Sequence, residues 1–263
     1  SLNIDRKQKY LYNRPMNKKR IWRNTLILLA VAVFLVLLLG KMIRLNLLFA
    51  QQYVLDGVDV SHYQGEIDWE RLAEQGIDFA YIKATEGSRF EDDYFAFNWQ
   101  QAEEAGLYVG AYHFFSFDSE PQIQAEHFME VTGEMSGRLV PAVDVEYYGD
   151  LRKKSPEKDK VVQDLEIFLL ILEEQYQVRP VIYTTMPFYD RYLRGNFDSY
   201  PLWIRNVYTP PFGLGREWQF WQYTDTAVME GYSGEEKYID RNVFYGTEKD
   251  LETYLIPFLN NIR

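Results

Sequence analysis

A chain of 263 residues, 47% hydrophobic and 17% aromatic, carries enough apolar side chain for one sizeable core and additional segments. It contains no cysteine, which excludes disulfides, thiolate catalysis and Cys-ligated metal sites. The formal charge of −11 is unevenly spread: residues 1–24 hold eight Lys/Arg against Asp5 alone, while from Tyr53 onward 38 acids face 18 bases. A domain that acidic repels polyphosphate, so no nucleic-acid partner is expected.

The first predicted element follows the basic head of residues 1–24. Thr25 to Gly40 (TLILLAVAVFLVLLLG) is uncharged throughout, and at 1.5 Å per residue it covers roughly 24 Å of the ~30 Å hydrocarbon core. Lys41 and Arg44 can snorkel, and Met42, Ile43 and Leu45 to Ala50 extend the apolar character. A buried core helix would show a polar face. A cleaved signal peptide would have a shorter head and a better cleavage site than Leu48-Phe49-Ala50. Residues 25–44 are therefore expected to be a single-pass transmembrane anchor. The positive-inside rule places the N-terminus in the cytoplasm and the acidic domain outside. Residues 45–56 are expected to be a linker, and 57–263 the folded domain.

Beyond Gly57, β-branched or aromatic runs alternate with helical stretches. Strands are predicted at 57–61, 79–85, 108–115, 139–146, 180–185, 201–207, 218–224 and 238–244, and helices at 68–75, 93–105, 119–133, 156–176 and 186–193. The fourth helix has a clear start, with Ser155 as cap, Pro156 in the first turn and Glu157 favouring the dipole. Early strand–helix alternation implies parallel strands with right-handed crossovers. The last three strands lack helices between them. The expected fold is α/β: a modified TIM-like barrel of eight strands and about five helices after one N-terminal transmembrane helix. An open doubly wound sheet is the alternative, but GVDVSHYQG lacks the spacing of a dinucleotide fingerprint.

In VDVE (143–146), Val143 and Val145 face one way, and Asp144 and Glu146 the other. If the valines pack against outer helices, the acids point into the barrel at the C-terminal end of a strand, where barrel active sites gather. Asp59 in GVDVS and Asp240 in YIDRN occupy comparable places. A lone D-x-E in a strand is more often a solvated face or a salt bridge. Four converging carboxyls cannot all ionise cheaply, so at least one pKa is raised. A protonated acid beside an ionised one is what glycosidic cleavage requires.

The order GVDVSHYQGEIDW, FAYIKATEGSRFEDDYF, AGLYVGAYHFF, PAVDVE, PVIYT, PLWI, WQYTD and IDRNVF, from Gly57 to about Gly246, resembles glycoside hydrolase family 25. These are the Chalaropsis-type lysozymes, which include phage endolysins. The resemblance implies a barrel of eight strands and five helices. It also implies a hydrolase that cleaves the β-1,4 bond from N-acetylmuramic acid to N-acetylglucosamine in the peptidoglycan glycan strand. By the same resemblance Glu146 is the general acid, Asp144 stabilises the cationic anomeric carbon, and Asp59 and Asp240 flank the pair. Retention and inversion both stay open.

Tyr112 and Trp221 are expected as subsite walls, with Lys83, Tyr183 and Trp203 as weaker substrate contacts, although any one aromatic here is more often core. Trp69 reads as packing. His62, His113 and His127 form no metal-binding spacing, so neither metal nor cofactor is expected; His62 and His113 are placed near the rim as hydrogen-bonding groups. No cell-wall-binding repeat is recognisable, and the membrane anchor is expected to localise the enzyme. No protein partner is indicated. Two other readings remain: a catalytically silent glycan-binding scaffold, and a barrel hydrolase of another N-acetylated glycan such as chitin.

Overall fold

The computed structural model describes residues 18–39 and 44–258. Most of the basic head (1–17) and the end of the expected anchor (40–43) lie outside them. The chain divides into two compact units, Ser1–Arg44 and Leu45–Arg263. In the first, α1 (Lys18–Leu39) is a 22-residue helix, about 33 Å long at 1.5 Å per residue. It is long and apolar enough to cross a membrane, and none of its Lys18–Leu37 stretch is buried.

The second unit is a closed barrel. Its strands are β1 (Asp56–Val60), β2 (Phe79–Glu86), β3 (Phe90–Glu91), β4 (Tyr108–Phe114), β5 (Ala142–Val145), β6 (Val181–Thr185), β7 (Leu202–Arg205), β8 (Phe220–Ala227) and β9 (Ile239–Phe244). Hydrogen-bonded neighbours run β1, β2, β4, β5, β6, β7, β8, β9 and back to β1. That makes eight barrel strands, with β3 a short antiparallel addition to the end of β2. All eight are parallel except β9, which is antiparallel to both β8 and β1.

Alternation sets what faces inward. Phe79, Tyr81, Trp203, Phe220 and Phe244 stack inside the barrel, with Tyr81 and Trp203 rings 4.9 Å apart and Phe220 and Phe244 5.1 Å apart. Two glycines make room for this plug. A Cβ on Gly57 would stand 2.4 Å from the Phe79 ring, and one on Gly110 2.4 Å from Tyr81. Val143, Val145 and Ile182 are buried on the opposite face, the face on which His113 of β4 stacks on Phe168 of the helix after β5.

The helices of this unit are α2 (Asn46–Ala50), α3 (Trp69–Glu74), α4 (Phe95–Glu104), α5 (Pro121–Thr132), α6 (Lys158–Tyr176), α7 (Met186–Phe188) and α8 (Glu248–Glu252). Glu157, rather than Ser155, caps α6 by accepting a hydrogen bond from the Lys160 N–H. The helix predicted at 186–193 is one α turn followed by a π turn over Tyr189–Leu193. Among the described residues the β7–β8 and β8–β9 connections contain no helix, in line with the sequence pattern.

The stretch expected to be a linker, 45–56, is instead part of the folded unit. The Leu45 N–H donates to the Tyr208 carbonyl at 2.9 Å, and the buried Asn46 amide donates to the Tyr223 carbonyl. Ala50 and Leu55 join the core. The Tyr53 ring packs on Trp218, Trp221 and Tyr245. The physical reason is that no long helix follows β7 or β8, so this N-terminal segment covers the outer face of β8.

Candidate active site

Parallel strands share a direction, so their C-terminal ends open at one rim. There Lys83 (β2), Tyr112 (β4), Asp144 (β5), Tyr183 (β6), Trp203 and Arg205 (β7) line a cavity of about 390 Å³ together with Asp59, Glu146 and Asp240. A second cavity of about 240 Å³ shares Asp59, Ser61, Tyr63, Tyr112 and Asp240 with it and continues along Gln64, Glu236 and Tyr238. The result is an elongated cleft, with the four predicted carboxyls gathered in its main cavity.

Asp144 is the penultimate residue of β5, and Glu146 follows the strand directly. Ladder register sets Asp144 between Phe114 of β4 and Tyr183 of β6. Among the described residues its Oδ1 is buried without a hydrogen-bond partner. Burial raises the Asp144 pKa well above the carboxylate range; the neighbouring Glu146 charge adds to this, and Lys83 opposes it. Glu146 is half-buried. Burial raises its pKa too, against the pull of Arg205 and Arg152. The two carboxyls therefore titrate as a coupled pair, and both hold a proton more readily than solvated carboxyls do.

Asp59 and Asp240 form the second carboxyl pair. The Gln222 side-chain N–H donates to both Asp59 oxygens at 2.8 and 2.9 Å, and the Asn242 amide donates to Asp59 Oδ1 at 2.7 Å. Those donors favour the ionised form of Asp59, although burial raises its pKa. Burial and the Asp59 charge push Asp240 up to about 9, so Asp240 is the proton holder of this pair.

Lys83 donates to Glu86 at 2.6 Å and lies over the Phe90 and Phe114 rings. Tyr183 donates its hydroxyl to Gln222 at 3.0 Å. Trp203 donates its indole N–H to Asn242 at 2.8 Å. Trp221 is not in the cleft. It is fully buried on the other face of β8, its indole N–H bonded to the Asn206 carbonyl at 2.9 Å. Strand parity gives the reason: Phe220 and Gln222 point inward, so Trp221 between them points out. His113 is likewise outward, stacked on Phe168 of α6 and bonded to Thr85 and Gln124, not at the rim. His62 binds Asp92 at 3.1 Å, and Trp69 is core.

Sequence reasoning missed Gln222, Asn242 and Arg205. The first two bind Asp59, and Arg205 pairs with Asp225 at 2.6 Å beside the cluster. The signal was available for all three: Gln222 alternates with Trp221 along β8. Asn242 stands two residues beyond Asp240, and Arg205 two beyond Trp203, on the same strand faces.

Residues 58–232 match the family described as "Glycosyl hydrolases family 25". Among solved structures, the family 25 glycosyl hydrolase from Bacillus anthracis is 44% identical, with a TM-score of 0.73, covering 77% of this chain and 94% of that one. The bacterial lysozyme from Streptomyces coelicolor is 32% identical with a TM-score of 0.69, covering 76% and 96%. "Lysozyme M1" of Streptomyces globisporus is 33% identical over 215 residues, 73% of this chain and 68% of that protein.

Proposed function

The chain belongs to glycosyl hydrolase family 25, and from that premise we propose that this glycoside hydrolase is a peptidoglycan muramidase. The bond cleaved is the β-1,4 link from N-acetylmuramic acid to N-acetylglucosamine. The observation that carries the reading is the pairing of Asp144 and Glu146 in one cleft, both with raised pKa values. The lysozyme names of the Streptomyces relatives support the choice of substrate, and an elongated cleft suits a polymer.

In this mechanism Glu146 gives its proton to the leaving glycosidic oxygen. Asp144, which lines the cavity, accepts the N–H of the substrate's own N-acetyl group and steadies the positive charge at the anomeric carbon. Before substrate binds, burial holds a proton on Asp144. The substrate N–H, acting with Lys83, favours its ionised form, so that the shared proton passes to Glu146 on binding. Asp59 and Asp240, tied together by Gln222, hold the charge balance beside the pair. Tyr112, Tyr183 and Trp203 form the wall against which a sugar ring rests.

The same reading includes residues 25–44 as an uncleaved anchor, with the N-terminus cytoplasmic and the barrel outside. It is supported by the length and apolarity of α1 and by the eight preceding positive charges. The test of the chemistry is mass spectrometry of purified sacculi digested by the full chain in detergent. Products ending in reducing N-acetylmuramic acid support a muramidase. Products ending in reducing N-acetylglucosamine, or hydrolysis of chitin with sacculi left intact, overturn it. Undigested sacculi favour the silent scaffold.

A further inference from the structure

We propose that the barrel unit rests on the membrane's lipid surface through an apolar face built by α2 and the β7–β8 loop. The proposal builds on the reading of residues 25–44 as an uncleaved anchor, and it adds a second contact with the bilayer.

The face is made of large side chains. Leu47, Leu48 and Phe49 are 46%, 69% and 43% exposed, and Phe212 is 68% exposed. Phe49 and Phe212 meet edge to face with ring centroids 6.5 Å apart, so helix and loop contribute to one patch. Scattered exposed apolar residues need no explanation, but a contiguous patch of aromatic and leucine side chains does. Its mounting is firm. Leu45 and Asn46 hydrogen-bond to the Tyr208 and Tyr223 carbonyls, and Pro210 and Pro211 are buried beside Phe212.

Charge and chain length identify lipid as the occupant. From Arg6 to Leu55 there is no Asp or Glu, and there is none from Asn206 to Arg216. The rest of the domain is heavily acidic. Asp190 stands beside the loop, but it is paired with Arg194, which also bonds the Gly213 and Leu214 carbonyls. This face therefore meets anionic headgroups at less cost than the rest. Residues 40–44 alone separate Leu39, the end of α1, from Leu45. Five residues reach under roughly 20 Å even when fully extended. An inserted α1 therefore keeps the start of α2 close to the headgroups, where Leu and Phe side chains gain by partial burial.

The absence of cysteine allows single labels. The full chain carrying Leu48→Cys, Phe212→Cys, Leu170→Cys (exposed on α6) or Val33→Cys (within α1) is labelled with an environment-sensitive fluorophore. Each is reconstituted into phosphatidylethanolamine–phosphatidylglycerol vesicles with or without nitroxide lipids. The proposal expects blue-shifted emission, quenched by shallow nitroxides, at 48 and 212, and water-like emission at 170. Water-like emission at 48 and 212 with quenching at 33 overturns the proposal and leaves the anchor standing. A blue shift without lipid quenching shows the face covered by a second copy of the chain and also overturns it. Quenching at 170 as strong as at 48 means unspecific adsorption and overturns it as well. Absence of quenching at 33 removes the anchor reading and this proposal with it.

Discussion

Asp59 and Asp240 stand directly opposite each other across the β1–β9 ladder, and one amide, that of Gln222, donates to both. Two facing carboxylates repel at this range, and the structure relieves the repulsion by leaving a proton on Asp240. With its pKa raised from an ordinary carboxylate value to about 9, Asp240 binds a proton in the folded chain that the unfolded chain releases.

That relationship has a defined pH consequence. A raised folded-state pKa means that stability is fully present below about pH 4 and declines as pH rises toward 9. Asp240→Asn keeps the shape of the protonated acid and removes this dependence. Its melting temperature is expected to exceed that of the wild type at pH 8, by a margin that shrinks toward pH 4. One kcal/mol corresponds to roughly 2–4 °C in a domain of this size. Equal melting temperatures at both pH values would show Asp240 ionised in the folded state.

Trp221 and Tyr112 separate on kinetics. Tyr112 lines the cleft, whereas Trp221 is buried under Tyr53 and Trp218. Trp221→Phe leaves the Asn206 carbonyl without its donor, which costs about 1–3 kcal/mol of stability and leaves KM unchanged. Tyr112→Leu removes the ring proposed to face a sugar and is expected to raise KM by about tenfold, on a stacking loss of about 1 kcal/mol or slightly more. Thermal melting and initial rates on solubilised glycan strands check both, and a KM change in Trp221→Phe would return that residue to the cleft.

Orientation is tested by protease added outside intact protoplasts. The expected outcome is loss of the barrel with the N-terminal head spared, because eight positive charges precede the apolar run and only Lys41 and Arg44 closely follow it. Release of a soluble domain beginning near Gln51 would instead reveal a signal peptide.

Much of the molecule was legible because strand parity is a local property. V-D-V-E shows which side chains share a face, and eight such runs imply closure when the last three lack helices. The same parity, applied to WQFWQYT, identifies Gln222 as the inward residue and Trp221 as outward; the attraction of a large aromatic obscured it. The docking of residues 45–56 was not legible. Asn46 and Tyr53 find their partners on β8, some 170 residues later in the chain, and no local pattern carries that pairing. Nor does spacing reveal that Arg205 pairs with Asp225, since that contact depends on the ends of two strands closing the rim.

The most direct measurement is hydrolysis of purified sacculi by Glu146→Gln beside thermal melting. The amide keeps the size and much of the hydrogen bonding of the acid but has no proton to give a departing sugar oxygen. General acid catalysis is worth about 10²–10⁴-fold, so the rate is expected to fall by at least that order. Asp144→Asn, measured in parallel, also loses rate, through weaker support of the cationic centre. The melting temperature of Glu146→Gln should hold or rise at neutral pH, because the raised pKa of Glu146 marks its charge as unfavourable where it sits. A folded Glu146→Gln protein that digests sacculi at the wild-type rate would contradict the account and remove Glu146 from the chemistry.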